Sequence, residues 1–204
     1  MGNIIEEIQS LKIVPVVTIQ KIEDAEGMLG ALCRGGLPVA EICFRTGCAE
    51  EAIRLAAKRF PQMLVGAGTV INAEQCRGAL AAGAKFIVSP GFSEEVATVC
   101  TDKGILYLPG VITPTEIMKA LSFGLTYLKF FPAENFGGLN MIRALSAAFP
   151  QVRFMPTGGI SPENIKEYLS FPQIFACGGS WMMKGTSREM EDKIRHAATL
   201  VSNL

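Results

Sequence analysis

Short apolar runs recur along the chain at a nearly constant interval: 13–19 (IVPVVTI), 39–46 (VAEICFRT), 63–70 (MLVGAGTV), 86–92 (FIVSPGF), 106–112 (LYLPGVI), 127–133 (YLKFFPA), 152–160 (VRFMPTGGI) and 174–182 (IFACGGSWM). The eight begin 20 to 26 residues apart. Strands that are apolar on both faces and alternate with helices imply a parallel sheet covered by those helices. Helix start signals stand between the runs. Thr113-Pro114-Thr115-Glu116 reads as an N-cap, a proline in the first helical position and a capping-box glutamate. Asn72–Gln75 and Ser161–Glu163 read similarly, and Gly83 and Gly124 read as helix stops. Residues 2–10 predict an extra N-terminal helix, placed to plug the floor of the sheet. Eight strand–helix units close most naturally into a (β/α)8 TIM barrel, and that α/β fold is expected as a single domain over residues 1–204. The alternative, an open doubly wound sheet, usually has fewer strands and a glycine-rich first turn, whereas residues 18–26 (TIQKIEDAE) hold no glycine.

Composition narrows the function classes. Nineteen Lys and Arg balance nineteen Asp and Glu among 204 residues, so no basic excess exists to neutralise nucleic acid or an anionic membrane. The mean hydropathy of +0.31 is high. Even so, no apolar run approaches the ~18 residues of a spanning helix. Residues 1–10 (MGNIIEEIQS) carry acids where a secretion signal needs a basic and then an apolar region, which predicts a cytoplasmic protein. The six cysteines are scattered with no CxxC pair, as reduced buried thiols would be. The lone histidine, His196, lies on a charged helical stretch, so neither a metal site nor a cofactor is expected.

Lys129 interrupts the apolar run Tyr127–Pro132 in the middle of a predicted strand. Burying an ammonium is costly, and an amine that sheds its proton more easily can attack a carbonyl to form a Schiff base. The competing reading is a strand-end lysine that snorkels or pairs with an acid. In the second run, Glu41, Cys43 and Arg45 share one face while Ile42 and Phe44 share the other, which points Glu41 and Arg45 inward. An inward Glu, Arg and Lys suit a site that binds a carboxylate and moves protons around an amine. A purely structural set of charges is the alternative. Thr69 and Thr157 add hydroxyls at two strand ends, although threonine is common in strands. Gly158-Gly159 and Gly178-Gly179-Ser180 follow the expected seventh and eighth strands, where many barrels bind phosphate through backbone N–H groups. Close loop packing is the other account of those glycines. Ser89-Pro90-Gly91 shapes the pocket wall, and Phe131 shares the parity of Lys129 and keeps the amine dry.

Together, EICFRT (41–46), GAGTV (66–70), SPG (89–91), LPGV (108–111), KFFPAE (129–134), PTGGI (156–160) and GGSW (178–181) resemble the bacterial 2-keto-3-deoxy-6-phosphogluconate (KDPG) and 4-hydroxy-2-oxoglutarate (KHG) aldolases. The resemblance runs from about residue 12 to the C-terminus. It implies a metal-free class I aldolase on a (β/α)8 fold, typically a homotrimer, acting on a small 2-keto acid. Lys129 then corresponds to the Schiff-base lysine and Glu41 to the general acid/base. Arg45, Thr69 and Thr157 correspond to residues around the carboxylate and carbinolamine, while Pro90 and Phe131 line the site. Gly158, Gly159, Gly179 and Ser180 correspond to contacts at the phosphate end. Phe136 stands before Gly137-Gly138, where the family usually has a small residue; it bears on substrate size rather than chemistry. Cleavage of the phosphorylated gluconate acid leads, with KHG or the galactonate epimer as alternative substrates. A phosphosugar isomerase or epimerase, and a non-catalytic phosphosugar binder, are the readings outside this class.

Overall fold

A computed structural model describes the backbone of residues 2–202 and 204, with side chains from Ile4 onward. Helix α1 (Gly2–Leu11) precedes β1 (Ile13–Val17), α2 (Ile22–Arg34), β2 (Val39–Cys43), α3 (Ala49–Arg59), β3 (Leu64–Gly68) and α4 (Ala73–Ala82). There follow β4 (Phe86–Val88), α5 (Glu94–Asp102), β5 (Leu106–Leu108), β6 (Gly110–Val111), α6 (Pro114–Ser122) and β7 (Tyr127–Phe130). The chain ends through α7 (Gly138–Ala148), β8 (Arg153–Pro156), α8 (Ile165–Leu169), β9 (Cys177–Gly179) and α9 (Ser187–Val201). Every apolar run therefore carries a strand, and the fifth carries two.

The expected closed TIM barrel is corrected. The strands form a curled, open six-stranded parallel sheet in the order β5-β4-β3-β2-β1-β9 and a separate three-stranded sheet, β6-β7-β8. Both interruptions fall at prolines. The Pro109 carbonyl accepts from Lys129 N–H at 2.9 Å, so position 109 faces β7, yet it has no N–H to return. In β8, Arg153 and Thr157 donate toward β7, while Phe154 donates the other way, to Gln173. By that alternation position 156 faces β9, and it is a proline. Only single bridges, Phe154 with Ile174 and Thr157 with Gly178, span that seam.

The turn signals are mostly realised as read. Thr113 caps α6 in a full capping box with Glu116, Asn72 caps α4, and Gly83 closes it at φ 112°. Ser161 does not start α8: its N–H is taken by the Asn164 side chain at 2.9 Å, and the helix begins one turn later.

Two apolar layers hold the sheet. One lies between strands and helices; the other fills the concave side, where Val14, Leu64, Phe86, Leu108 and Met155 meet the fully buried Ile8 of α1. The extra N-terminal helix thus covers the inner core at the strands' starting ends. That packing leaves the opposite ends of the strands to carry polar side chains. No described helix is long and apolar enough to cross a membrane.

Candidate active site

Glu41 and Lys129 come from strands that are not neighbours, and they meet across the curl of the sheet. Lys129 Nζ donates to Glu41 Oε1 at 3.1 Å, with side-chain exposures of 4% and 0%. Desolvating two charges offsets most of their attraction, so stability alone is a weak reason to bury such a pair. Its remaining atoms argue further. Among the described residues, Glu41 Oε2 and Thr157 Oγ1 are buried with no hydrogen-bond partner. A pair kept only for structure satisfies its atoms; these are free to meet a ligand.

Glycines make room for this chemistry. A Cβ on Gly68 would lie 2.4 Å from Glu41 Oε1, and one on Gly178 would lie 2.2 Å from Thr157 Oγ1. The bare backbone at these two positions is what lets both side chains fold inward. Cys43 lies beside Glu41, its Sγ 4.0 Å from Oε1. Burial, and after it the Glu41 carboxylate, pushes the thiol up to about 11, so it stays protonated at neutral pH.

Next to the pair, reached through Val16, the register partner of Glu41, and through Phe131, lies a cavity of about 150 Å³ lined also by Arg45, Thr157, Gly158, Gly159, Ile160, Gly179 and Ser180. Lys129 Nζ sits 5.0 Å from the centre of the Phe131 ring, and Phe131 also lines the cavity. Arg45, beyond the end of β2 and exposed, donates from Nε to Thr69 Oγ1 at 3.2 Å. Thr69 itself holds φ 55°, a left-handed backbone that strains a β-branched residue by roughly 1–3 kcal/mol. Strain of that kind concentrates at functional sites, and here it aims the hydroxyl at the guanidinium.

One rim of the cavity is backbone. Gly158 and Gly159 adopt φ 98° and 80°. Ala133 and Glu134 donate their N–H groups to the carbonyls of Thr157 and Gly158 at 2.8 and 3.1 Å, and Asn164 donates to the Gly159 carbonyl at 3.0 Å. With the carbonyls held, no hydrogen bond among the described residues engages the N–H of Gly159, Ile160 or Ser180. Unpaired N–H groups around a concavity suit an anion. Among the described residues, no group of three or more His, Cys, Asp or Glu side chains comes together to hold a metal ion.

Most of the residues singled out in the sequence thus converge. Pro90 lines a neighbouring crevice of about 210 Å³ with Ile71 and Phe92, and its carbonyl packs on Gly110, the register partner of Lys129. Phe136 is 48% exposed and is not among the residues that line the cavity. Val16 and Ile160 do line it and were missed, because an apolar residue in an apolar run carries no signal of its own. Register supplies one: Val16 pairs directly with Glu41, and so shares its face.

Comparison with known proteins adds four findings. A family model described as KDPG and KHG aldolase matches residues 4–197. The 2-dehydro-3-deoxy-phosphogluconate aldolase of Treponema pallidum is 45% identical over 187 residues, covering 92% of this chain and 89% of that protein. Among solved structures, the 2-keto-3-deoxy-6-phosphogluconate aldolase of Zymomonas mobilis with 3-phosphoglycerate superposes with a TM-score of 0.93, at 38% identity and 99% coverage of both chains. The KDPG aldolase of Legionella pneumophila, with pyruvate captured as a covalent carbinolamine, gives 0.88 at 37% identity, covering 98% of this chain and 97% of that one.

Proposed function

We propose roles for these residues from one fixed point: the chain belongs to the KDPG and KHG aldolase family. It is a class I aldolase, a carbon–carbon lyase that cleaves 2-keto-3-deoxy-6-phosphogluconate to pyruvate and glyceraldehyde 3-phosphate. The observation that carries the assignment of roles is the buried Lys129–Glu41 pair, with a carboxylate oxygen that has no partner among the described residues, next to the cavity that Phe131 and Val16 line.

Glu41 takes a proton from Lys129, and the neutral Nζ attacks the C2 ketone of the substrate. Glu41 returns that proton to the former carbonyl oxygen and then carries a second proton from Nζ to the resulting hydroxyl, which leaves as water and yields the protonated imine. The protonated imine draws electrons from the C3–C4 bond while Glu41 accepts the C4 hydroxyl proton. That bond breaks, and glyceraldehyde 3-phosphate departs. The pyruvate enamine is reprotonated at C3, and water releases pyruvate and the free lysine. Arg45 pairs with the substrate carboxylate and so fixes which carbonyl meets Nζ. Thr69 orients Arg45, and Thr157 supplies its free hydroxyl to the carbinolamine oxygen. Phe131 keeps water from the amine. Gly158, Gly159, Gly179 and Ser180 take the phosphate end, a role supported by the unpaired N–H groups at that rim.

Comparing kcat/KM for the phosphorylated gluconate acid, its galactonate epimer and KHG tests the assignment. The gluconate acid is expected to be used best, with inorganic phosphate as a competitor. Preference for unphosphorylated KHG contradicts the phosphate assignment.

The cytoplasm, where its six cysteine thiols stay reduced, is the proposed setting. We also propose a homotrimer. An apolar strip supports self-association: Ile71, 58% exposed, shares the crevice of Phe92, whose ring packs 5.4 Å from that of Phe123. Ile71→Asp is expected to yield monomer in light scattering coupled to gel filtration. A trimer that persists in the variant places the interface elsewhere.

A further inference from the structure

Glu134 lies five residues beyond Lys129, in the 3₁₀ turn Glu134–Phe136, and has no part in the chemistry above. Its carboxylate accepts a hydrogen bond from the hydroxyl of Tyr168, a residue only 2% exposed on α8. The two line a cleft of about 350 Å³ that the cavity next to Lys129 does not share. Between the cleft and the cavity runs the Gly158–Gly159 loop.

Two contacts tie the pair to that loop. The Glu134 N–H donates to the Gly158 carbonyl at 3.1 Å. The Glu134 stem lies so close to Gly159 that a Cβ there would sit 2.3 Å from its Cγ. A Cβ on Gly138 would fall 2.7 Å from the Tyr168 hydroxyl and 2.9 Å from Glu134 Oε1. Gly138 thus leaves room for the bond, and Gly159 for the stem. Burial and the Glu134 carboxylate both hold the Tyr168 hydroxyl above the usual phenol range, so it remains a donor. A carboxylate behind an anion-binding loop is unfavourable if it swings toward the ligand. Tyr168 holds it on the far side.

We propose that Glu134 and Tyr168 form a positioning pair that sets the Gly158–Gly159 loop for the phosphate end of the substrate. The inference rests on the assignment of that loop to the phosphate. The pair touches no reacting atom; it acts through the loop, and its loss alters the fit of phosphate rather than imine formation.

The test uses the full chain and compares Tyr168→Phe, which removes one hydroxyl, with Glu134→Ala and Glu134→Gln. Tyr168→Phe and Glu134→Ala are each expected to raise KM for the phosphorylated acid about tenfold, the worth of one well-made hydrogen bond, with kcat near wild type. They weaken inhibition by inorganic phosphate in parallel and leave kcat/KM for KHG unchanged. Glu134→Gln, whose amide oxygen still accepts from Tyr168, restores most of the affinity. Equal losses on both substrates overturn the inference in favour of a structural role, as does a Tyr168→Phe enzyme indistinguishable from wild type while wild type still recognises phosphate. A wild-type enzyme insensitive to phosphate overturns the loop assignment, and the inference with it.

Discussion

Lys129→Ala is expected to lower kcat by ~10⁴-fold or more, because the variant has no amine from which to form the imine and no other residue at the site supplies one. It also leaves Glu41, fully buried, without its partner at 3.1 Å. An unpaired buried carboxylate costs roughly 3–5 kcal/mol, on the order of 10 °C in Tm for a chain of this size. Loss of activity and loss of stability therefore come together in alanine, and a second variant separates them. Lys129→Arg keeps a cation against Glu41 but cannot form an imine, so it recovers stability without turnover. Steady-state assays beside thermal melts check both. An arginine variant that turns over at a rate near wild type contradicts the assignment of Lys129.

Glu41→Gln is the second large effect. The amide still accepts from Nζ through its oxygen and fills the space above Gly68, so the fold holds. It can no longer take the C4 hydroxyl proton or shuttle one to the carbinolamine oxygen, and kcat falls by about 10²–10⁴. Pyruvate still reaches Lys129, only more slowly. Single-turnover measurements are expected to show imine formation and cleavage both slowed, with the melting temperature little changed. A kcat within tenfold of wild type removes Glu41 from the proton-transfer role.

Both residues were legible in the chain for simple reasons. A lysine in the middle of an apolar run is an anomaly in itself, and two-residue parity put Glu41 on the face opposite Ile42 and Phe44. The glycine pairs were legible by place, since they stand late in the last two runs. Local pattern did not reveal that β2 and β7 meet across the curl, which depends on twist accumulated over strands between them. Nor did it reveal where the ladder breaks. Pro109 and Pro156 were visible in LPGV and PTGGI, but their effect depends on which neighbour each position faces, and that emerges only once register is known. The same limit hid Val16 and Ile160, which are indistinguishable in sequence from core. The Ser-Pro-Glu pattern opens a turn rather than the helix itself: Ile165 N–H donates to the Ser161 carbonyl at 3.1 Å, and α8 runs only from Ile165.

The central claim is that chemistry runs through a covalent bond to Lys129, and borohydride reduction in the presence of pyruvate tests it most directly. The account predicts one reduced pyruvyl group per chain, mapped by peptide mass spectrometry to Lys129, absent without pyruvate and absent in Lys129→Arg. An active enzyme that gives no adduct, or one whose adduct maps to another lysine, contradicts it.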